Sequence, residues 1–447
     1  MSSSANLAEI INATPWVDTH EHLIEERCRL REDSYSFVDA SFGEPVIIPA
    51  DWTALLVSYA LADLVSAGLS PATADYVLRS ELDPVEKWDL LAPYYEAART
   101  TGYLREIDLT TERLFGLRLS RVTCEDIDRS MRELRQEGYY SRVLHEVANI
   151  VRCQVNSVED NPFCETSTPD LLDQDLSLVP LILGRHDTAE RASGIEVGDL
   201  DDYVQVAEWC FERYGDKAVA VKCPLAYVRS LAVADIDEPP RRAFQRLRRG
   251  GAGTRDRRNV EDFLLRRCLH LAAKERLPVK LHMGYLAGNR EPQMQWIFGH
   301  AVDVTPLIQA HPRTTFVLYH MGWPQQEQVL ALAKHYPNVF VDLCWAWVLS
   351  PLAACEFVQR FLTTAPWTKL LCFGGDSETV ENVVGHAEIA RRGLQTALET
   401  LVHSGWLTSD AALRLVPELM RGNADRVLPT RRSAAARGDD SGSEASP

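Results

Sequence analysis

Two histidines separated by one residue, His20 and His22, have the type and spacing that metal chemistry needs. They follow Pro-Trp-Val-Asp at 15–18, a short apolar run that predicts a β-strand. Alternate residues of a strand point to the same side, so both imidazoles are expected to project together from the end of the strand. Two imidazoles on one side form half of a site for Zn²⁺ or a similar divalent metal.

Three further side chains that can bind a metal or transfer a proton also follow apolar runs. His282 and His320 each end such a run and are followed by Met-Gly, and Asp376 follows Leu-Cys-Phe-Gly-Gly. One histidine at a strand end is more often a buried core residue than a ligand. The presence of several at strand ends of the same chain predicts a metal site.

The elements that must position these residues are short apolar runs separated, for the most part, by helical stretches. The predicted strands are residues 15–18, 150–155, 178–183, 218–222, 278–282, 315–320, 339–343 and 370–374. Near-continuous apolar runs are typical of buried parallel strands, and eight β-α units predict a closed (β/α)8 barrel, an α/β fold. A doubly wound parallel sheet is the structural alternative. In a barrel, the carboxyl ends of the strands carry the active site.

The gap between the first two predicted strands is too long for one helix. We expect residues 1–44 to hold the first strand, 45–147 to form a wholly helical insertion over the barrel mouth, and 148–428 to complete the barrel. Insertions after a barrel strand emerge on the catalytic face, which favours a lid. A separate helical domain is the alternative. The tail at 429–447 is rich in Ser, Ala, Gly and Asp and is predicted to be disordered.

The charge of the chain excludes some classes of partner. The formal net charge is -17, and an acidic protein binds nucleic acid poorly because affinity for phosphates depends on Lys and Arg. The segment 241–258 is an exception, with eight arginines. It predicts a solvated, mobile loop, or else a patch for an anionic ligand or partner. We expect a small-molecule substrate and no nucleic acid, and a homo-oligomer is compatible with the sequence.

Composition also indicates the compartment. There is no apolar run of about 18 residues that would span a membrane, and the first residues do not have the pattern of a secretory signal. None of the ten cysteines forms a CxxC pair, and several lie in apolar strand-like runs, where free thiols behave as small hydrophobes. We therefore expect a reduced, cytoplasmic setting and no contact with a membrane.

Five motifs distributed along the chain carry a family resemblance. They are Asp-Thr-His-Glu-His at 18–22, Lys-Leu-His-Met-Gly at 280–284, Tyr-His-Met-Gly-Trp-Pro at 319–324, Gly-Gly-Asp-Ser at 374–377 and Met-Arg-Gly-Asn-Ala-Asp-Arg-Val-Leu at 420–428. The set resembles the amidohydrolase superfamily of metal-dependent TIM-barrel hydrolases, in the amidohydrolase-2 type branch. It is similar to aminocarboxymuconate-semialdehyde-type decarboxylases and to amidohydrolase domains fused to glutamine synthetase. The long helical insertion is similar to that of uronate isomerases.

The resemblance implies a role for each candidate residue. The implied metal ligands are His20 and His22 on the first strand, His282 on the fifth, and Asp376 on the eighth. Asp376 would also receive the proton of the metal-activated water, and His320 would act on the substrate. The chain has Gly-Gly-Asp where the commoner family order is Gly-Ser-Asp, which keeps the aspartate and a small neighbour.

Lys222, at the end of the predicted fourth strand, bears on the number of metal ions. Binuclear members of the superfamily have a carboxylated lysine there that bridges two ions. We expect one ion, Zn²⁺ or Mn²⁺, with no second ion and with Lys222 facing the substrate. A bridging carbamate and a structural ion pair are the alternatives. Arg185, Arg229 and Tyr227 are further candidates for substrate binding, and cationic donors would suit a substrate carboxylate.

The same set of ligands supports several reactions. We expect hydrolysis of an amide or other C–N bond in a small molecule, with non-oxidative decarboxylation or C–C bond hydrolysis of a small carboxylic acid as the alternative. Uronate-type isomerisation is a third possibility. A non-catalytic scaffold domain is the alternative from a different class, and the intact ligand set argues against it.

Overall fold

Parallel strands in barrel order form the body of the protein. The computed structural model describes residues 2–39, 45–157, 162–236, 238–288, 294–428 and 430. Its strands, in chain order, are β1 Trp16–Glu21, β2 Tyr35–Val38, β3 Pro45–Ile48, β4 Ile150–Val155, β5 Leu172–Gln174, β6 Leu176–Ser177, β7 Val221–Cys223, β8 Val279–Leu281, β9 Phe316–Leu318, β10 Val339–Asp342 and β11 Leu370–Leu371. All the pairings between barrel strands are parallel, and only the β2–β3 hairpin is antiparallel among the described residues.

Backbone hydrogen bonds complete the ring. The strands pair in the orders β1-β4-β5 and β6-β7-β8-β9-β10-β11. The consecutive strands β5 and β6 act as the third barrel strand, because Asp175 N–H donates to Val155 and Leu176 N–H donates to Ala220, at 2.8 and 2.9 Å. At the other end, Thr19 N–H donates to the Phe373 carbonyl at 3.0 Å. The prediction of a (β/α)8 barrel is confirmed, and the doubly wound alternative is wrong.

Helices surround the barrel and fill the long gap after β1. The α-helices are α1 Ser2–Ala13, α2 Glu26–Arg29, α3 Ala60–Ser66, α4 Pro71–Arg79, α5 Pro84–Ala98, α6 Gly102–Phe115, α7 Cys124–Leu134, α8 Tyr139–Ser141, α9 Val179–Ile182, α10 Asp187–Ser193, α11 Leu200–Tyr214, α12 Arg241–Arg248, α13 Thr254–Lys274, α14 Met294–Ile297, α15 His300–Ala310, α16 Gln326–His335, α17 Ala346–Leu349, α18 Pro351–Thr364, α19 Asn382–His403, α20 Ser409–Pro417 and α21 Asn423–Val427. Short 3₁₀ segments lie at Trp52–Leu56, Leu225–Tyr227, Tyr319–Gly322 and Trp367–Lys369, and π segments at Arg142–Val147 and Glu418–Gly422. Among the described residues, no helix combines the length and apolar character that crossing a membrane requires.

The insertion after β1 starts with the β2–β3 hairpin and continues as helices. The expectation that 45–147 is wholly helical is therefore wrong at its first residues, which form β3. Its helices have clear local signals: Asp83 caps α5 with Glu86 in a capping box, and Gly116 ends α6 in the left-handed conformation, at φ 69°. Most buried apolar residues of the insertion form one cluster with barrel residues such as Val317 and Leu371, and those at 139–144 belong to the main barrel core. The insertion therefore shares a core with the barrel.

Two predicted elements differ from the structure. The run 178–183 is not the third strand, because it contains helix α9, which has Pro180 at its start. The third strand is formed by β5 and β6, a few residues earlier. The arginine-rich segment 241–258 is not a loop, since it contains all of α12 and the start of α13. The predicted disordered tail lies outside the described residues, except for Thr430.

Candidate metal centre

The structure brings His20, His22 and Asp376 together at the carboxyl end of the barrel. His20 Nε2 lies 3.1 Å from Asp376 Oδ1, and His22 Nε2 lies 3.2 Å from the same oxygen. The ligand atoms of all three residues lie within 4.8 Å of one another. The two histidines extend from β1, and Asp376 follows β11, so ring closure places the first and last barrel strands side by side. Two imidazoles and a carboxylate are a donor set that suits Zn²⁺.

Hydrogen bonds behind His22 orient it as a ligand. Its Nδ1 lies 2.8 Å from the Asn156 carbonyl oxygen, which requires a proton on Nδ1 and leaves Nε2 directed at the centre. Asp376 raises the pKa of His22, although burial alone would lower it. The ionised carboxylate of Asp376 thus attracts a proton to Nε2 when no other cation is near. A divalent ion would replace this proton, so the residues present fit a metal.

His20 is more deeply buried, and its side chain has no exposed surface. Burial lowers its pKa well below the usual value, and the nearby Lys222 lowers it further, so the imidazole is neutral at neutral pH. Its Nδ1 has no hydrogen-bond partner among the described residues and lies 4.0 Å from Asp175 Oδ2. A neutral imidazole is the form that binds a metal.

A pair of carboxyl groups on β1 holds the backbone around Asp376. Asp18 Oδ1 accepts hydrogen bonds from the N–H groups of His20 and Gly375 at 3.1 and 3.2 Å. Glu21 Oε2 accepts one from Ser377 N–H at 2.7 Å. Burial raises the pKa of Asp18 to about 6, and burial together with Asp18 raises that of Glu21 well above its usual value. Sequence analysis missed this role of Asp18 and Glu21.

The same contact explains why the chain has Gly-Gly-Asp instead of Gly-Ser-Asp. A Cβ atom added at Gly375 would lie 1.8 Å from Glu21 Oε1. A Cβ at Gly374 would lie 2.9 Å from Cys344 Sγ and 3.0 Å from Thr19 Oγ1. Both positions are therefore restricted to glycine by the close approach of side chains from β1 and from the end of β10.

His282 and His320 form a pair beside the cluster. His282 Nδ1 lies 3.0 Å from His320 Nε2, and His282 Nε2 lies 2.9 Å from the Tyr285 carbonyl oxygen. His320 Nε2 is 3.7 Å from Asp376 Oδ2. Burial lowers the pKa of His282 well below its usual value and that of His320 to about 3, so both rings are neutral. The cluster thus contains three of the four predicted ligands, while the Nδ1 of His282 faces His320.

A thiol lies close to the same carboxylate. Ligand atoms of His320, Cys344 and Asp376 lie within 4.8 Å of one another, and all three residues are buried. Cys344 follows β10, the seventh barrel strand. Its position after an apolar strand is a signal in the sequence, but an apolar context also fits a cysteine that packs as a small hydrophobic residue.

Two buried lysines lie below the centre. Lys222 Nζ is 2.7 Å from His20 Nε2 and 4.5 Å from the centre of the Tyr319 ring, and burial lowers its pKa. Lys280 Nζ donates to Asp175 Oδ2 at 2.7 Å and to the Thr19 carbonyl at 2.8 Å. Neither side chain of the Lys280–Asp175 pair is exposed. The pair links three barrel strands directly beneath the metal ligands.

The helical insertion contacts the centre from above. Tyr59 O–H donates to the Asp376 carbonyl, and Ser58 Oγ lies 2.8 Å from Ser377 Oγ. The Tyr59 ring stacks on Trp345 with centroids 4.7 Å apart, and Trp345 meets His320 edge-on at 5.3 Å. Tyr59 of the insertion and Trp345, which follows β10, therefore form an aromatic wall beside the centre.

The three candidates for substrate binding outside the cluster have other partners. Arg185 is 69% exposed and pairs with Asp187, and it does not follow a strand because the third strand lies earlier. Arg229 is buried and pairs with Asp262 and with Glu261 on α13. The Tyr227 ring lies 4.5 Å from that of His282, and its hydroxyl accepts a hydrogen bond from Ala287 N–H at 3.0 Å. Only Tyr227 of the three is therefore placed beside a residue of the centre.

Comparison with known proteins agrees with this architecture. Two solved structures are similar to 96% of the chain, each with a TM-score of 0.73. One is glucuronate isomerase from Caulobacter crescentus, which is 16% identical and covered over 94% of its length. The other is uronate isomerase from Thermotoga maritima, which is 14% identical and covered over 97% of its length. At such identities, the likeness concerns the fold. Protein fluG of Emericella nidulans is 26% identical over 178 residues, which are 38% of this chain and 20% of that protein.

A family model gives the more specific relation. The amidohydrolase model matches residues 188–429, more than half of the chain, and this segment includes His282, His320 and Asp376. The motifs predict a superfamily whose members depend on a metal. The cluster of His20, His22 and Asp376 agrees with that dependence. The sequence-based assignment is therefore confirmed: the chain belongs to the amidohydrolase family.

Proposed function

We propose that the protein is a metal-dependent hydrolase that cleaves an amide or other C–N bond of a small molecule. The observation that carries the proposal is the convergence of His20 Nε2 and His22 Nε2 on Asp376 Oδ1, at 3.1 and 3.2 Å. The family supports the class of chemistry, and the intact ligand cluster supports catalysis over a scaffold role. The substrate's reactive bond would lie between this cluster and the aromatic wall.

One catalytic ion, Zn²⁺ or Mn²⁺, would be held by His20, His22 and Asp376. When bound, such an ion provides a water nucleophile near neutral pH and polarises a carbonyl group. His282 can join as a ligand through Nδ1, because its Nε2 proton is held by the Tyr285 carbonyl. This assignment keeps the four predicted ligands in one site and requires only that the His282–His320 contact opens.

Asp376 is suited to accept and return a proton. Burial would raise its pKa, but the neighbouring His20, His22 and His320 outweigh this effect and hold the pKa well below its usual value. The carboxylate is therefore ionised at neutral pH and can take the proton of the attacking water. Its Oδ2 atom lies on the side of His320, where it could pass the proton to the leaving nitrogen.

His320 would act on the substrate as a neutral imidazole. Its pKa of about 3 excludes an imidazolium at neutral pH, so it would hydrogen-bond the developing oxyanion through N–H. Trp345, edge-on to the ring, limits its movement and excludes water from this side. Lys222, beside His20, would face the reacting carbonyl from below. A bridging carbamate on Lys222 remains the alternative role.

Carboxylic-acid chemistry has less support from the described residues. Of the three cations expected to hold a carboxylate, Arg185 and Arg229 are engaged in ion pairs, which leaves Lys222 beside His20. Decarboxylation and C–C bond hydrolysis therefore rank below C–N hydrolysis. Uronate isomerisation also requires a cation for the substrate carboxylate; it is the second candidate only because the two isomerases compared above match the fold over almost the whole chain.

Product analysis distinguishes these reactions. The metal-loaded protein would be incubated with panels of N-acyl amines and N-acyl amino acids, small carboxylic acids and uronic acids. We expect release of a free amine together with an acid, and loss of this activity with a chelator. CO₂ release or ketose formation would instead identify decarboxylation or isomerisation and contradict the proposal.

Two variants test the assigned roles. In Asp376→Asn and His320→Ala, kcat should fall about 100- to 10,000-fold, the range of proton-transfer and oxyanion contributions. Metal content separates the two, because Asp376→Asn should lose the ion and His320→Ala should keep it. Arg185→Ala is the matched control and should retain full activity, since this side chain is exposed and pairs with Asp187.

A further inference from the structure

Cys344 lies at a point where a soft ligand can act. Its thiol belongs to a cluster with His320 and Asp376 whose ligand atoms lie within 4.8 Å of one another. None of the three residues is more than 5% exposed. The cluster shares Asp376 with the catalytic site but contains neither His20 nor His22. It offers one nitrogen, one oxygen and one sulfur, a mixed set that zinc and cadmium accept.

The backbone holds these three side chains in an uncommon conformation. His320, Cys344 and Asp376 have positive φ angles of 58°, 44° and 56°, and six non-glycine residues do so in the described chain. Such conformations cost free energy and concentrate at functional sites. At Cys344, a hydrogen bond from its N–H to Asp342 Oδ1 at 2.9 Å fixes the turn. The backbone conformation after β10 therefore determines where the thiol of Cys344 points.

The electrostatic field at the thiol favours a cation. The thiol lies in one cluster with the carboxylate of Asp376, and the Cys344 N–H donates to Asp342 Oδ1 at 2.9 Å. The carboxylate of Asp376 attracts a divalent ion to the thiol. The sulfur would then bind the ion as thiolate, and one proton would leave for solvent for each ion bound.

We propose that His320, Cys344 and Asp376 form a second, thiolate-containing site for a soft divalent cation such as Zn²⁺ or Cd²⁺. Asp376 would bridge the two sites, with Oδ1 toward His20 and His22 and Oδ2 toward His320. The second site is weaker than the first, because it requires deprotonation of a buried thiol and separation of His320 from His282. It departs from the expectation of a single ion.

Occupation of this site has a consequence for catalysis, which rests on the proposed function. An ion bound to His320 removes the imidazole from the substrate, so an excess of a thiophilic metal should inhibit the enzyme. The first equivalent of metal would activate and the second would inhibit. Protein with the Cys344→Ser substitution should be activated by the first equivalent and resist inhibition by the second.

Cobalt titration tests the site without an activity assay. Metal-free protein would be titrated with Co²⁺, while the near-ultraviolet charge-transfer band of a cobalt–thiolate bond is recorded. We expect this band to grow with the second equivalent in the unsubstituted protein, and to be absent in Cys344→Ser, which should bind one ion. Cys372→Ser is the matched control, because Cys372 is also buried near the ends of these strands but belongs to neither cluster.

A measurement on the unsubstituted protein covers the case in which Cys344→Ser does not fold. X-ray absorption of protein loaded with two equivalents of Cd²⁺ should show a sulfur neighbour for half of the ions. No cobalt–thiolate band at any ratio, a band that persists in Cys344→Ser, or the absence of sulfur around cadmium would each overturn the proposal. These results are independent of whether the protein hydrolyses a C–N bond.

Discussion

Lys280→Met is the substitution whose effect the structure defines most clearly. Lys280 Nζ makes three hydrogen bonds, to Asp175 Oδ1 at 3.0 Å, to Asp175 Oδ2 at 2.7 Å and to the Thr19 carbonyl at 2.8 Å. Neither side chain of the ion pair has any exposed surface. Methionine has a similar length but no charge, so Asp175 would remain as a buried, unpaired carboxylate.

The expected loss in the free energy of unfolding is about 3–5 kcal/mol, the usual cost of removing one partner of a buried ion pair. Denaturant unfolding followed by tryptophan fluorescence, with a chelator present, measures it as a shift of the midpoint at unchanged slope. The exposed pair of Arg241 and Asp201 provides the control. Arg241→Met should cost no more than about 1 kcal/mol, because exposed pairs contribute little.

A double variant separates the ion pair from simple packing. In Lys280→Met/Asp175→Leu neither charge of this pair remains, so most of the stability should return. The single variant should also recover in acid. Burial already raises the pKa of Asp175, and loss of Lys280, which lowers it, would raise it more. The penalty is therefore absent below the unfolded pKa of an aspartate, about 3.9, grows as pH rises toward the raised folded-state pKa, and is constant above it. A loss below about 1 kcal/mol in the single variant would refute the role of the pair.

Two further predictions concern the packing of the site and its response to acid. Gly375→Ala places a Cβ 1.8 Å from Glu21 Oε1 and should displace Asp376, so equilibrium dialysis should show at least tenfold weaker metal binding. Gly253→Ala is the control, because a Cβ there meets no atom within 4 Å. Equal metal affinities of the two variants would contradict the predicted clash. Burial lowers the pKa of His300 and of His386 to about 4. The contribution of each histidine to the free energy of unfolding is therefore complete above the unfolded pKa of about 6.5. It is lost as pH falls toward 4, by about 1.4 kcal/mol for each unit between the two pKa values. Buried Asp18 and Asp342, whose pKa values are raised to about 6 and about 7, change stability in the opposite direction, so the measurement is the difference in unfolding midpoint between the unsubstituted protein and His300→Gln or His386→Gln. A difference that stays constant from pH 7 to pH 4 would contradict this.

The barrel was predictable because most of its strands are apolar runs, and the third strand was not because it is polar. Leu172–Gln174 and Leu176–Ser177 flank Asp175, whose carboxylate is paired with Lys280 inside the barrel. A criterion based on apolar runs passes over such a strand and selects the next run, 178–183, which is helical. The partner that makes Asp175 tolerable in the interior is 105 residues away. Local sequence does not contain that information.

Long-range pairing also explains the arginine-rich segment. Eight arginines with interspersed glycines suggest a solvated loop, yet α12 is held by Arg241 on Asp201 and by Arg248 on Glu190. The acidic partners belong to α11 and α10, and no local pattern indicates that these helices lie beside this segment. The charge pattern of residues 241–258 therefore indicates that the segment lies at the surface, but it does not indicate that the segment is helical.

At the centre, residues in short motifs were predictable and residues defined by contacts were not. The spacing of His20 and His22 and the position of Asp376 identified the cluster. The aromatic cover from Tyr59, which lies 317 residues from Asp376 in sequence, had no local signal. The charges of Arg185 and Arg229 suggest substrate binding, but both side chains form ion pairs whose acidic partners the charge alone does not indicate.

The position of the tightest-bound ion tests the central claim most directly. Crystals of protein loaded with one equivalent of Zn²⁺ would be measured at the zinc absorption edge, and the anomalous peak would be located. We predict a peak with His20 Nε2, His22 Nε2 and a carboxylate oxygen of Asp376 about 2.0–2.2 Å away. A peak elsewhere in the chain, or a well-ordered centre without one, would contradict it.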